Sequence, residues 1–265
     1  MSNTTEPIVP AVDRALNVLE YIAQARDCVS IKQIAADLKI PYTSVFRIVK
    51  QLVARGYLEE DNQRLGHFHL GFQILSLVNG MTYINDLRQI AHSELYNLAL
   101  NSKQVVQMGV LRDFNVTYIE QILPPNPVIL YTALYSVLPL NISAAGKVLA
   151  AFASPHEREY LIQNTVFDKS TPNTIGNRSD FIAELDTIRR IGYAEDNEEF
   201  SIGIGCLAAP IFNHEMHCVA AIGITGGIGD YKGKSKETLT RMLLQSSRSI
   251  SLRLGMPRNE LNFLA

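Results

Sequence analysis

Between Ile40 and Leu58 the chain carries Arg47, Lys50 and Arg55 and no carboxylate. A helix that gathers such cations on one face is suited to an array of phosphates. At about 100° per residue, Thr43, Arg47, Lys50 and Ala54 fall opposite the apolar stripe Val45, Ile48, Val49, Leu52 and Val53. Ser44 and Gln51 lie to one side of that face and Phe46 to the other. Hydroxyls near a helix start with cations behind them are what a major groove accepts, the cations on phosphates or guanine edges and the hydroxyls on either. Thr43, Ser44, Phe46, Arg47, Lys50 and Gln51 are therefore the expected DNA-contacting set. Arg64 joins them, at the tip of a following hairpin where it would reach a phosphate or the minor groove. The competing reading of the segment alone is an ordinary αα-hairpin with a solvated basic face.

A second group of reactive types lies in the C-terminal half. The run Glu195, Asp196, Glu198 and Glu199 has the composition of an acid–base pair, but no histidine or lysine is tied to it by local spacing, so a loop closing over a pocket is the preferred reading. Cys206 reads as a small buried, pocket-lining residue rather than a nucleophile. His214, His217 and Cys218 are metal-ligand types close together, yet they fall between two strands, where an exposed polar turn is the simpler account. Gly203-x-Gly205-x-x-Ala208 matches a relaxed dinucleotide fingerprint but opens no βαβ unit and runs into Pro210. Gly146-Lys147 lacks the remainder of a phosphate loop. No cofactor and no metal are expected.

The elements that position these groups follow from periodicity. Val12, Ala15, Leu16, Leu19, Ile22 and Ala23 outline a first amphipathic helix. Ser30 with Gln33 is a capping-box pattern that starts a second at Ile31. Pro41 stops that helix or opens the next. Tyr57–Glu60 and His67–Gly71 flank a polar turn and form a hairpin wing. Gly71–Met81 is apolar on more than one side, which suits a connector packed on its own domain and on a second chain. After a helix from Asn85 to Leu100 the period changes. Strands are expected at Val105–Leu111, Val116–Ile122, Val128–Leu134, Tyr193–Glu195, Cys206–Phe212 and Cys218–Thr225. Helices are expected at Ser143–Phe152, His156–Gln163, Asp180–Ile191 and Lys236–Leu254. Hairpins with helices between them, without regular βα alternation, make an α+β domain with a sheet covered by helices on one side.

At 265 residues the chain suits two domains: 1–70 a winged helix-turn-helix, 71–82 a linker helix and 83–265 a ligand-binding domain. Hydrophobic residues at 47% against 19% charged exclude a disordered chain, and a net charge of -2 excludes a polycation that coats nucleic acid nonspecifically. Residues 1–9 read as a loose polar start. The three cysteines fit no disulfide framework, and no membrane span or signal peptide is evident, so a cytoplasmic protein is expected.

The chain resembles the IclR family of bacterial transcriptional regulators. The matching features, in order, are Arg14-Ala15-Leu16, the Pro41–Leu52 segment with Ser44 and Arg47, and the wing ending Leu70-Gly71. Ala145-Gly146-Lys147, the acidic run after Gly192-Tyr193, Gly203-x-x-Cys206-x-Ala208-x-Pro210 and Ala220–Gly226 follow. The resemblance implies a winged helix-turn-helix, a connecting helix and a GAF-like antiparallel sheet domain, assembled as a homodimer or a dimer of dimers. It implies double-stranded operator DNA as one partner and a small organic or aromatic acid as effector. The implied effector positions are Ala145 and Gly146 at a helix start, Asp196, Ile204 and Cys206 on loop and strand, and Gly223 and Thr225 on the last strand. Some relatives have serine where Gly223 stands, so one hydrogen bond is missing here.

The resulting reading is a transcriptional regulator whose operator binding responds to a small acid. It is not an enzyme. In that reading Gly146→Leu is expected to block the effector without unfolding the protein. The alternative is an enzyme of small acids that uses its N-terminal helices only to dimerise, with Asp196, Glu198 and Cys206 reactive.

Overall fold

The computed structural model describes residues 9–25, 27–79, 82–125 and 133–258. The chain divides into two compact units, Met1–Asn85 and Asp86–Ala265, with the break inside a helix.

In the first unit, α1 (Pro10–Gln24), α2 (Ile31–Asp37) and α3 (Tyr42–Ala54) combine with a small sheet. Ser30 caps α2, its hydroxyl accepting from the Gln33 amide at 3.3 Å. Pro41 stands at the N-cap of α3, where its lack of an amide hydrogen costs nothing. The core is Val18, Ile22, Val29, Ile31, Ile34, Ile40, Val45, Val49, Leu58 and Phe68. The buried face of α1 differs from expectation: Val18 and Ile22 are inside, whereas Val12 and Leu16 are more than half exposed. An apolar-rich helix offers two overlapping stripes, and the sheet beneath it selects Val18–Ile22. The wing has three strands rather than two. β1 (Val29–Ser30) pairs with β3 (His67–Leu70), which pairs with β2 (Leu58–Glu60), all antiparallel. A two-residue strand is too short to show alternation. After the wing, α4 (Gln73–Asn79) leaves Phe72, Leu75 and Leu77 exposed. Gly80 and Met81 of the expected connector lie outside the described residues, as do 1–8 of the expected loose start.

α5 (Thr82–Ser102) leads into a six-stranded antiparallel sheet of order β6-β5-β4-β9-β8-β7. The strands are β4 (Val105–Arg112), β5 (Asn115–Ile122), β6 (Val137–Pro139), β7 (Ala194–Asn197), β8 (Ile204–Phe212) and β9 (Cys218–Gly227). The strand expected at Val128–Leu134 falls mostly outside the described residues. β6 was not anticipated because it is short and ends in proline. Helices α6 (Ala144–Phe152), α7 (Pro155–Asn164) and α8 (Arg178–Ile191) share a core with Tyr118, Ala194, Ala208 and Ala221. α9 (Gly233–Arg253) packs on β8 and β9 as well. Its Ser247 donates to the Pro210 carbonyl at 2.5 Å and its Ser251 accepts from the Phe212 amide at 3.0 Å. Glu94 of α5 binds Ser246 and Ser249 of α9, each at 3.1 Å. The sheet is thus covered on both faces, not one. That is why β8 and β9 are buried residue after residue instead of alternating.

Candidate functional site

In the first unit, Val45 and Val49 anchor α3 and turn its other faces outward. Thr43, Phe46, Arg47, Lys50 and Gln51 are exposed and Ser44 is half-buried. Phe46 stacks against Tyr42 with ring centroids 6.5 Å apart, and the Lys50 ammonium lies 5.7 Å above the Phe46 ring. Lys50 is therefore held beside the face by a cation–π contact. Ser44, Arg47 and Gln51 line a groove of about 490 Å³ together with Ala11, Arg14 and Ala15 of α1. Arg14 was not among the expected contacts. It sits one turn before Val18 on the buried line of α1, and a cation at that position is carried past the edge of the core into the groove. Arg64 is placed differently from its companions. Its Nη1 lies 2.5 Å from Asp27 Oδ2 and donates toward Cys28 Sγ at 3.7 Å.

In the second unit, the strand register brings three distant residues into one row: Asp196 of β7 opposes Cys206 of β8, which opposes Thr225 of β9. Directly opposed residues share a face. This face is the one covered by α6, since Cys206 packs in the cluster that contains Ala144 and Ala145. Thr225 Oγ1 donates to Cys206 Sγ at 3.2 Å. Gly223 is two residues back on β9, opposite Ala208, and a Cβ there would stand 3.5 Å from Cys206 Sγ. Ile204, half-buried, lies two residues before Cys206 on β8 and opposes Gly227. The effector set is thus gathered on one side of the sheet beneath the first turn of α6.

Gly146 has a packing reason for being glycine. A Cβ would meet the Leu140 Cα at 2.7 Å and its carbonyl oxygen at 2.8 Å, and the Gly146 amide donates to Ser143 Oγ at 3.0 Å. The Gly146 amide is thus used in the cap of α6, and Gly146→Leu would disrupt the fold rather than leave it intact, contrary to the expectation from the sequence. Gly205 of the discarded dinucleotide fingerprint is likewise explained, because a Cβ would lie 2.8 Å from the Tyr231 ring.

The acidic run is tied to a lysine after all, through the tertiary fold. Lys147 is fully buried, and its Nζ donates to both oxygens of Glu199 at 2.7 and 2.8 Å and to Glu184 at 3.2 Å. Asp196 Oδ1 accepts from the Glu199 amide at 2.6 Å and the Phe200 amide at 3.3 Å. Thr171 and Thr174 hydroxyls donate to the Glu198 and Glu199 carbonyls, both at 2.6 Å. The segment is pinned from three sides and forms a fixed wall. Burial pushes the Asp196 carboxyl up to about 6, against backbone donors and Lys147 that pull it down. Burial likewise pushes Glu199 up to about 7 in spite of Lys147, since one ammonium serves neighbouring carboxylates. Burial pushes the Cys206 thiol up to about 12, which keeps it protonated and unreactive.

Tyr118, Ser143 and Gln107 are further polar groups buried beside this row. Tyr118 is raised by burial and bonded to Ser143, and Gln107, buried, opposes Gly223. Gln107 was not among the expected residues, although a polar residue inside the apolar run Val105–Leu111 is a signal for it. Tyr118 and Lys147 were not legible, because an aromatic strand residue and a lysine in a helix carry no signal of facing a cluster. His214 and His217 lie exposed in the β8–β9 turn, while Cys218 packs inward with its thiol raised by burial to about 12. Among the described residues no group of three or more His, Cys, Asp or Glu side chains is placed to hold a metal ion, and no helix is long and apolar enough to cross a membrane.

Comparison with known proteins matches residues 11–62 to the IclR helix-turn-helix domain and residues 81–252 to the IclR C-terminal domain of bacterial transcriptional regulators. The HTH-type transcriptional regulator XynR of Escherichia coli K12 is 28% identical over 251 residues, covering 95% of this chain and 99% of the relative. The HTH-type transcriptional repressor AllR of the same strain is 27% identical over 246 residues, covering 93% and 90%. Among solved structures, the IclR of Thermotoga maritima aligns with a TM-score of 0.79 at 25% identity, covering 93% of this chain and 99% of that one. An IclR homologue from Microbacterium hydrocarbonoxydans, complexed with 4-hydroxybenzoate, aligns with a TM-score of 0.82 at 22% identity, covering 92% and 98%. These families are transcriptional regulators, not enzymes. With both domain models matched in order on the α+β architecture, the chain belongs to the IclR family of bacterial transcriptional regulators, with a DNA-binding helix-turn-helix and an IclR effector-binding C-terminal domain.

Proposed function

We propose that a small organic or aromatic acid binds beneath the start of α6 and changes the affinity of the helix-turn-helix for its operator. The observation that carries this is the row Asp196, Cys206 and Thr225, three polar side chains side by side on a sheet face where the next row is Ala194, Ala208 and Gly223. A helix start adds free amide donors and a positive dipole end, here at Ala144 and Ala145. Burial raises the Asp196 carboxyl to about 6, so it takes up a proton more readily than a solvated aspartate when a ligand carboxylate is placed beside it. Gly223 supplies no hydroxyl, which favours an acid with an apolar or aromatic body.

The DNA-contacting residues are Thr43, Ser44, Phe46, Arg47, Lys50 and Gln51, with Arg14 added from the groove and Arg64 conditional on release from Asp27. The protein works in the cytoplasm as a dimer or dimer of dimers. The exposed Phe72, Leu75 and Leu77 around α4 support a second chain there, and two recognition helices double the site on a pseudo-palindromic operator.

The test is retention of genomic fragments, beginning with the region upstream of the protein's own gene, at a fixed salt concentration. Selective retention of one fragment is expected. Equal retention of all fragments, with and without added acids, would remove the regulatory reading.

A further inference from the structure

The wing is acidic where the exposed face of α3 is basic. α3 and the groove beside it carry Arg14, Arg47 and Lys50, and none of these has an ion-pair partner among the described residues. The wing and the loop beside it carry Asp27, Glu59, Glu60 and Asp61 against Arg64. These carboxylates have assigned work. Asp61 Oδ1 accepts from the Gln63 amide at 2.9 Å and the Arg64 amide at 2.7 Å, which fixes the turn. Glu60 accepts from the Gly66 amide at 2.6 Å, and Glu59 from the Phe72 amide at 3.1 Å. Asp27 alone acts on a side chain that would reach DNA, since its Oδ2 takes Arg64 Nη1 at 2.5 Å across a sequence separation of 37. Both partners are largely exposed, at 57% and 67% for the arginine and aspartate side chains. Arg64 is thereby held at both ends, its backbone by Asp61 and its guanidinium by Asp27.

We propose that Asp27 is a specificity-determining residue that withholds Arg64 from DNA phosphates until the protein is seated on its operator. The inference rests on the DNA-binding role of the helix-turn-helix. On nonspecific duplex the protein is held loosely by the cations around α3, no phosphate stays at bonding distance from the wing tip, and Arg64 keeps its carboxylate. On a cognate site the recognition helix fixes the register, a phosphate or minor-groove edge is held against the tip, and the exchange of an exposed, weak ion pair for that contact becomes favourable. The pair thus lowers nonspecific affinity more than specific affinity, which raises the ratio that decides occupancy in a genome.

The test uses the full chain and a 30-base-pair duplex of scrambled sequence, with binding followed by fluorescence anisotropy from 50 to 200 mM KCl. In Asp27→Asn the freed arginine adds a phosphate contact. The log–log salt dependence should steepen by about one, with affinity at the lowest salt rising about three- to tenfold. Arg64→Gln alone should bind this duplex as the wild type does, and Asp27→Asn/Arg64→Gln should return to that value. Unchanged binding in Asp27→Asn, weaker binding, or a gain that persists in the double variant would each overturn the proposal. Absence of any binding by the wild-type chain at 50 mM would be the distinct failure of the DNA-binding role itself, and would take this proposal with it. Both residues lie at the surface, so an unchanged thermal transition in each variant confirms that folding does not contribute.

Discussion

Lys147 Nζ lies 2.7 and 2.8 Å from the two carboxylate oxygens of Glu199, a residue 52 positions away, and is itself fully buried. The pair fastens the second turn of α6 to the loop after β7, and the amide of the same Glu199 donates to Asp196. The residue proposed to meet the effector is therefore oriented through a buried ammonium that never touches it.

Removing that ammonium leaves carboxylates buried without a cation. Lys147→Met is expected to lower stability by about 3–5 kcal/mol at pH 8. The loss should shrink at pH 5.5, where Glu199 takes up a proton and no longer needs a partner. Lys147→Met/Glu199→Gln should recover part of it. Urea unfolding at the two pH values measures all three. An equal loss at both would mean that the pair contributes packing and not charge.

Asp196 supplies a stability signature of its own. Its carboxyl is raised in the folded protein, so the folded state holds a proton that the unfolded state has released. The resulting stability is complete below about pH 4 and is lost as the pH rises to about 6. Asp196→Asn should remove that component, which is on the order of 2–3 kcal/mol. Glu199 adds a decline of the same sign that ends near pH 7. A wild-type stability that rises from pH 4.5 to 6.5 in step with the variant would contradict the assignment.

Gly146→Ala forces a Cβ against the Leu140 backbone. The expected result is a drop in thermal midpoint corresponding to about 1–3 kcal/mol, with poor yield for Gly146→Leu. A fully stable Gly146→Leu would show that the turn before α6 yields, and would return Gly146 to the ligand-contacting set.

Arg47→Ala and Arg14→Ala should each weaken operator binding and reduce the salt slope by about one if they hold phosphates. If Arg47 instead reads a guanine edge, its loss should relax discrimination at a single base pair. Anisotropy on cognate and scrambled duplexes separates these outcomes, and unchanged affinity for both duplexes would remove α3's assigned face.

Much of the architecture was legible because local physics set it. Ser30 and Gln33 announced α2, Pro41 the break between α2 and α3, and apolar runs the strands β4, β5, β8 and β9. What escaped were features that depend on partners distant in sequence. β1 and β6 exist only because β3 and β5 present free edges to them. The buried side of α1 was decided by the sheet beneath it. Lys147 and Glu199 were each visible as types, but their meeting required the register of six strands. Arg64 has no partner visible in the sequence because Asp27 is 37 positions away. The effector set could be gathered on paper only through family resemblance, since no local pattern reports that Asp196, Cys206 and Thr225 stand in one row.

The most direct test of effector-coupled DNA binding is titration of the operator complex with small acids, 4-hydroxybenzoate among them, in the wild type and in Thr225→Val. The account predicts at least a tenfold change in wild-type operator affinity with one acid, about 1.4 kcal/mol of coupling. It also predicts normal operator binding but no response in the variant. A variant that responds as the wild type does, or a wild type indifferent to every acid, would contradict it.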